Sequence, residues 1–267
     1  MQRLIDLLWV IFRGGRLARN ILALLLLAST AAQATDDDRP TPIPPPWTSE
    51  IEFGYHALGG NSDSETLNSR VGFTYVKNQY RQTAEAKYLL AEKDGEEDKR
   101  KGQIELQSDM KINERTYVLG NANYVDDRYG PYFTDFTLST GLGYQLIRRE
   151  TFQMEVEAGP GYRHQEPNID EIDDDDIIIP ETVDELIIRG SAKFIWKPSK
   201  NVEVNARATG IGGNSNSTLE TELNVTTAIN DHVALKFSNS QKVNSWVPDG
   251  LKKRDSTMSV SVLFKIN

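Results

Sequence analysis

The sequence predicts an all-β chain, an antiparallel up-and-down transmembrane β-barrel of about twelve strands. Three observations predict it. From Trp47 onward apolar and polar residues exchange at alternate positions, the period of a strand with one face in a non-aqueous medium. Most alternating stretches reach the roughly 9–11 residues that cross a bilayer at a tilt, whereas soluble sheets use about 5–6. The connections also sort, with tight turns at one rim and mostly longer polar loops at the other.

The elements follow in chain order. Residues 1–34 read as an export signal: Arg3, Arg13, Arg16 and Arg19 precede the apolar core Ile21 to Ala28, and Ala32-Gln33-Ala34 forms a small-x-small cleavage site. Thr35 to Pro46 is a proline-rich spacer, expected to be disordered because closely spaced prolines cannot donate to a strand ladder. Strands are predicted over 47–57, 65–77, 80–91, 99–112, 115–125, 135–146, 151–163, 184–197, 202–211, 218–229, 232–243 and 255–266, making 47–267 the barrel. In the first, Ile51, Phe53, Tyr55 and Ala57 oppose Glu50, Glu52, Gly54 and His56. In the fourth, Ile104, Leu106, Met110 and Ile112 oppose Glu105, Gln107, Asp109 and Lys111. Across the sixth and seventh, Leu142, Tyr144 and Leu146, then Phe152, Met154, Val156 and Ala158, form the apolar series. The last carries Met258, Val260, Val262, Phe264 and Ile266.

Tight joints are expected at Asn78-Gln79, Asn113-Glu114, Ile147 to Glu150, Pro198 to Asn201 and Asn230-Asp231. Longer loops are expected at Leu58 to Ser64, Glu92 to Asp98, Asp126 to Thr134, His164 to Val183, Gly212 to Ser217 and Asn244 to Arg254. Aromatic residues collect at both ends of the apolar face. Trp47, Tyr75, Tyr80, Tyr144, Phe152, Trp196 and Phe264 lie near the short-turn rim, and Tyr88, Tyr124, Phe136 and Tyr162 near the loop rim. Rings with an apolar body and a polar edge gather at the two membrane interfaces.

Composition narrows the function. A mean hydropathy of -0.50 excludes a bundle of membrane helices but not a barrel, in which alternate residues alone meet lipid. The chain has no cysteine, so disulfides and thiolate metal sites are absent. Removing the signal takes four bases and one acid from 30 and 39, leaving 26 against 38, a net charge of -12. Such acidity argues against nucleic acid as a partner.

Three stretches carry a family likeness: Gly60 to Asn78 (GNSDSETLNSRVGFTYVKN), Gly120 to Ile147 (GNANYVDDRYGPYFTDFTLSTGLGYQLI) and Glu157 to Gln165 (EAGPGYRHQ). Through these the chain resembles the YdiY-like family of putative salt-induced outer membrane proteins, a domain of unknown function. The resemblance implies an outer-membrane barrel of a Gram-negative cell envelope and carries no established activity, so no residue role comes with it. Gly60 to Leu67 and Gly213 to Leu219 echo each other, since Gly, Asn and Ser suit the same loop geometry.

Two groups of residues are candidate sites. The stretch His164 to Glu185 is rich in acids, without one Lys or Arg. Within it Asp170, Glu171, Asp173, Asp174, Asp175 and Asp176 form a candidate weak divalent-cation loop, the alternative being a solvated, self-repelling loop. The inward register supplies a candidate lumen lining: Glu50, Glu52, Arg70, Glu85, Lys87, Glu105, Asp109, Glu155, Glu157, Arg189, Lys193, Glu203, Arg207, Glu220 and Glu222. Acids outnumber bases, which in an open lumen favours cations, while in a small barrel paired charges fill the interior. The functional expectation is therefore a small cation-preferring pore or a salt-responsive envelope protein, against a non-conducting structural or adhesive barrel. A barrel lipid hydrolase would need a histidine base paired with a serine, and no motif pairs His56, His164 or His232 with one. A soluble periplasmic β domain is the remaining alternative. No cofactor is expected. The expected partners are outer-membrane lipid and lipopolysaccharide, the barrel assembly machinery during insertion, and divalent cations at the acidic loop.

Overall fold

Alternation becomes twelve strands in the computed structural model, which describes residues 46–58, 63–130, 132–168, 181–245 and 254–266. They are β1 (Trp47–Leu58), β2 (Ser64–Lys77), β3 (Tyr80–Lys93), β4 (Glu96–Lys111), β5 (Thr116–Asp127) and β6 (Tyr132–Arg148), then β7 (Phe152–Pro167), β8 (Val183–Ser199), β9 (Val202–Gly212), β10 (Ser217–Ala228), β11 (Val233–Asn244) and β12 (Arg254–Ile266). Each pairs antiparallel with its sequence neighbours, and β1 pairs with β12 from Ser49↔Ile266 to Phe53↔Val262, so the sheet closes into a barrel. Closure leaves no edge of unpaired backbone groups, a requirement for any sheet set in hydrocarbon. The expected signal and nearly all of the spacer lie outside the described residues.

The wall is inside-out relative to a soluble protein. Leu106 and Leu142 on the outer face are 50% and 58% exposed, while Glu52 and Asp109 on the inner face are 4% and 3% exposed. Register carries this around the sheet: Ile51 stands beside Val71 and Phe264, Leu106 beside Ala84 and Ala122, and Leu235 beside Val262. Apolar side chains therefore form a continuous outer surface, which only lipid can cover favourably. The two aromatic rows fall on this surface, with Trp47 beside Tyr75 and Phe152 beside Trp196 at one end, and Tyr124 beside Phe136 at the other.

Strand ends differ from expectation by at most four residues, and several connections change character. The expected loop Glu92 to Asp98 is a two-residue turn, Asp94-Gly95, with φ of 53° and 84°. Asp-Gly takes two positive φ angles readily, and that turn matches strand twist, so β3 and β4 run on as one long hairpin. At the opposite rim, two joints expected as tight pairs are four-residue turns over 112–115 and 229–232. Asn113 Oδ1 accepts the backbone N–H of Arg115 and Thr116, and Asn230 Oδ1 accepts those of His232 and Val233. The loop sorting is accordingly partial: the connections after β1, β7 and β11 exceed four residues, and those after β5 and β9 do not.

Glycines on the inner face of β6 and β7 make a corner. A Cβ on Gly159 would lie 1.9 Å from the Thr140 carbonyl oxygen, and one on Gly141 2.3 Å from that of Ala158. The two strands bend onto each other there, and only residues lacking a side chain allow it.

Candidate functional site

All fifteen expected lining residues fall on the inner face, and the structure brings most of them into a few ion-pair clusters. Arg70 reaches Glu85 at 2.6 Å and Glu50 at 3.1 Å. Lys87 joins Glu85 at 2.8 Å to Glu222 at 3.2 Å, and Asn224 donates to the same Glu222 carboxylate at 2.7 Å. Arg207 meets Glu105 at 3.2 Å, and Arg189 meets Glu157 at 3.1 Å. Glu157 also accepts Gln107 at 2.9 Å and the Tyr117 hydroxyl at 3.0 Å. Glu203 pairs with Lys197 and Glu220 with Lys242, both at 3.6 Å.

Two of these contacts decide the shape of the lumen. Lys87 and Glu222 stand on β3 and β10, and Arg207 and Glu105 on β9 and β4. Each pair joins strands five places apart around a twelve-stranded ring, so it bridges the interior instead of lying along the wall. Below this bridge, toward the short-turn rim, a charged chamber of about 360 Å³ remains, walled by residues such as Thr48, Asp109, Glu155, Ser191 and Asn205.

Several participants were not among the expected residues. Arg81 holds Asp109 at 2.6 Å and Glu155 at 3.3 Å, with its guanidinium 5.3 Å from the centroid of the buried Tyr117 ring. Lys236 donates to the buried Glu52 at 2.8 Å, and Ser261 donates to the other oxygen of that carboxylate. Adding Arg81, Lys197, Lys236 and Lys242 to the lining changes ten acids against five bases into ten against nine, so the ground for a cation preference largely disappears. Alternation contained this signal, because Lys236 lies between the outward Leu235 and Phe237.

Near the loop rim a second constellation forms. The buried Arg163 pairs with Glu185 and donates to Ser215 Oγ at 2.8 Å and to the Asn216 carbonyl at 3.0 Å. Glu185 in turn accepts the Ser215 backbone N–H at 2.9 Å. The β9–β10 turn is thus tied to the inner wall. Alternation marks Arg163 and Glu185 as inward, but nothing in it indicates that a turn folds onto them.

The acidic residues Asp170, Glu171 and Asp173 to Asp176 lie outside the described residues. Of the histidines, His164 stands on the outer face beside Asp184, with Nδ1 2.8 Å from its carboxylate, which the Tyr162 hydroxyl also engages. His164 is twelve residues along the strand from Phe152, about 30 Å of rise at the usual tilt, beyond a hydrocarbon band about 25 Å tall. The hydrogen bond to Asp184 raises its pKa above the ordinary imidazole value. Among the described residues no serine hydroxyl bonds a histidine ring, so no nucleophile–base pair is assembled there.

Comparison with known proteins agrees with this architecture. Residues 51–266 match the family described as "Protein of unknown function, DUF481". The chain is 25% identical over 250 residues to "Uncharacterized protein YdiY" of Escherichia coli (strain K12), covering 91% of this chain and 94% of that one. Among solved structures, the COG4313 outer membrane channel from Pseudomonas putida F1 aligns with a TM-score of 0.50 at 6% identity, over 87% of this chain and 100% of that one. The NanC porin aligns with a TM-score of 0.47 at 9% identity, over 81% and 97%. At 6% identity the likeness to the channel is one of fold alone. A match that spans every strand from β1 to β12 places the chain in its family: it belongs to the DUF481 proteins of unknown function.

Proposed function

We propose that the protein is an outer-membrane barrel of a Gram-negative envelope, exported by the signal at residues 1–34, that acts as a low-conductance pore for small polar solutes. Inside-out exposure, closure and the aromatic rows support the membrane placement. The observation that carries the pore reading is the bridge made by Lys87–Glu222 and Arg207–Glu105 above a charged chamber. A fully packed interior would leave no chamber, and an open one would leave the charges along the wall. The bridging pairs are partly exposed to the lumen, so added salt screens them and loosens the constriction. This gives a salt response a physical route. No activity on lipid is part of the proposal.

Conductance in planar bilayers tests it. The wild-type barrel is expected to show small, reproducible steps, rising more than in proportion to salt. The double substitution Lys87→Met with Glu222→Gln removes one bridge without leaving an unpaired charge across the lumen, and is expected to enlarge the steps several-fold. Silence from both folded proteins would instead support a non-conducting structural barrel, the reading that the bridge favours if it seals the lumen completely.

A further inference from the structure

Most charges of the lumen are paired, and four bases that are not gather in one place. Lys193, on the inner face of β8, has no carboxylate within the 4.0 Å ion-pair range among the described residues, although Arg70, Arg81, Lys87, Arg189, Arg207 and Lys236 each have one. It lines both the central chamber and a cavity of about 320 Å³ at the short-turn rim. That cavity is also lined by Lys111, Arg148 and Arg149, which likewise have no ion-pair partner among the described residues. Arg148 spends one N–H on the Glu114 carbonyl. Two acids face the same space: Glu155 is engaged by Arg81 at 3.3 Å, and Glu150 stands on the turn. Four uncommitted cations thus meet one uncommitted carboxylate in a chain whose overall charge is -9.

We propose that this vestibule is a binding site for a small organic anion bearing a phosphate group, entering from the short-turn side and seating its charge on Lys193. The inference rests on the reading of the interior as an aqueous lumen. Placing four like charges around one cavity is unfavourable unless an anion or water screens them, and an anion in the cavity removes that repulsion. Guanidinium groups at the mouth suit a phosphate because they donate two parallel hydrogen bonds, while Lys193 acts as a point charge at the inner end. The volume admits a molecule about the size of a monosaccharide phosphate. A free solute is the occupant in preference to a lipid headgroup, because Lys193, Glu155 and Arg81 face inward and a headgroup lies outside the wall.

Calorimetric titration of the folded full barrel in neutral detergent tests this without any current being measured, so its outcome is separate from that of the conductance experiment. Glucose 6-phosphate is expected to bind and glucose not to, with affinity falling as salt rises. Lys193→Gln is expected to weaken binding about tenfold or more, while Lys99→Gln on the loop-rim half of β4 leaves it unchanged. Folding of each variant is read by its heat-dependent mobility on electrophoresis, and Arg149→Gln, on the exposed rim, repeats the test should Lys193→Gln not fold. Equal heats for both sugars, or full binding by both vestibule variants, would overturn the assignment. So would loss of sugar-phosphate binding in phosphatidylglycerol nanodiscs but not in phosphatidylcholine nanodiscs, since a headgroup would then be the occupant.

Discussion

Residue by residue, the interior behaves as a set of paired charges whose partners matter more than their number. Glu52 and Lys236 are 4% and 6% exposed, and Ser261 completes the carboxylate's shell. Lys236→Met leaves the buried Glu52 with Ser261 and with Arg70 at 3.9 Å in place of its close partner, and should cost about 3 kcal/mol in urea unfolding from detergent. Adding Glu52→Leu should recover most of that loss, because two apolar groups need no pairing. Gly143 offers a second test. A Cβ there would lie 2.1 Å from the Tyr117 ring, so Gly143→Ala should destabilise by about 1–3 kcal/mol. Gly210→Ala, where nothing lies within 4 Å, should be neutral or slightly stabilising. His164 is legible in solution: a proton NMR titration should place its pKa above the ordinary value, and Asp184→Asn should lower it by replacing the charged carboxylate acceptor with a neutral amide. Folding raises this pKa, so any stabilisation from the pair is present below the unfolded value and fades as pH rises through the folded one.

Among the elements, alternation was a sufficient guide wherever one face is apolar, which is why β1 and β12 were found to within a residue at each end. It failed where the outward face becomes polar. Over Glu96, Glu97 and Asp98 nothing distinguishes strand from loop, and the hairpin continues there because Asp94-Gly95 closes it and the ladder persists through a bulge at Ala91/Glu92. The same limit applies to the site. Inward charges could be read from register, but which acid each base chooses depends on spacing across the lumen, as with Lys87 and Glu222, 135 residues apart in the chain. Turn chemistry gives the elements their own test. Ile112-Asn113-Glu114-Arg115 and Ile229-Asn230-Asp231-His232 use the same asparagine to accept two backbone N–H groups. Asn113→Ala and Asn230→Ala should each cost about 1 kcal/mol, as exposed hydrogen bonds do, with little change in the fold.

At the scale of the whole molecule, the fold is stable in one kind of surroundings. The outer wall carries leucine, isoleucine, valine and aromatic side chains from every strand neighbourhood, and the inner wall carries the charges. Water on both sides would leave that wall as one large exposed apolar surface prone to association. Depth along the wall turns this into a graded prediction. Leu106 stands beside Ala84, midway between Tyr80 and Tyr88 on the adjacent strand, and so near the middle of the hydrocarbon. Leu186 stands beside Tyr162 at the loop rim. Leu106→Arg should therefore cost about 2–4 kcal/mol and Leu186→Arg about 0–1, because the cost of a cation on the lipid face falls toward the interface. Unfolding in phospholipid vesicles measures both. Greater exposure at Leu186, 81% against 50%, would rank the two sites the same way in water, but with both costs near zero. A large loss at Leu106 with a small one at Leu186 requires lipid against the wall. Two small losses would put the outer face in water and remove the membrane from the account of this protein.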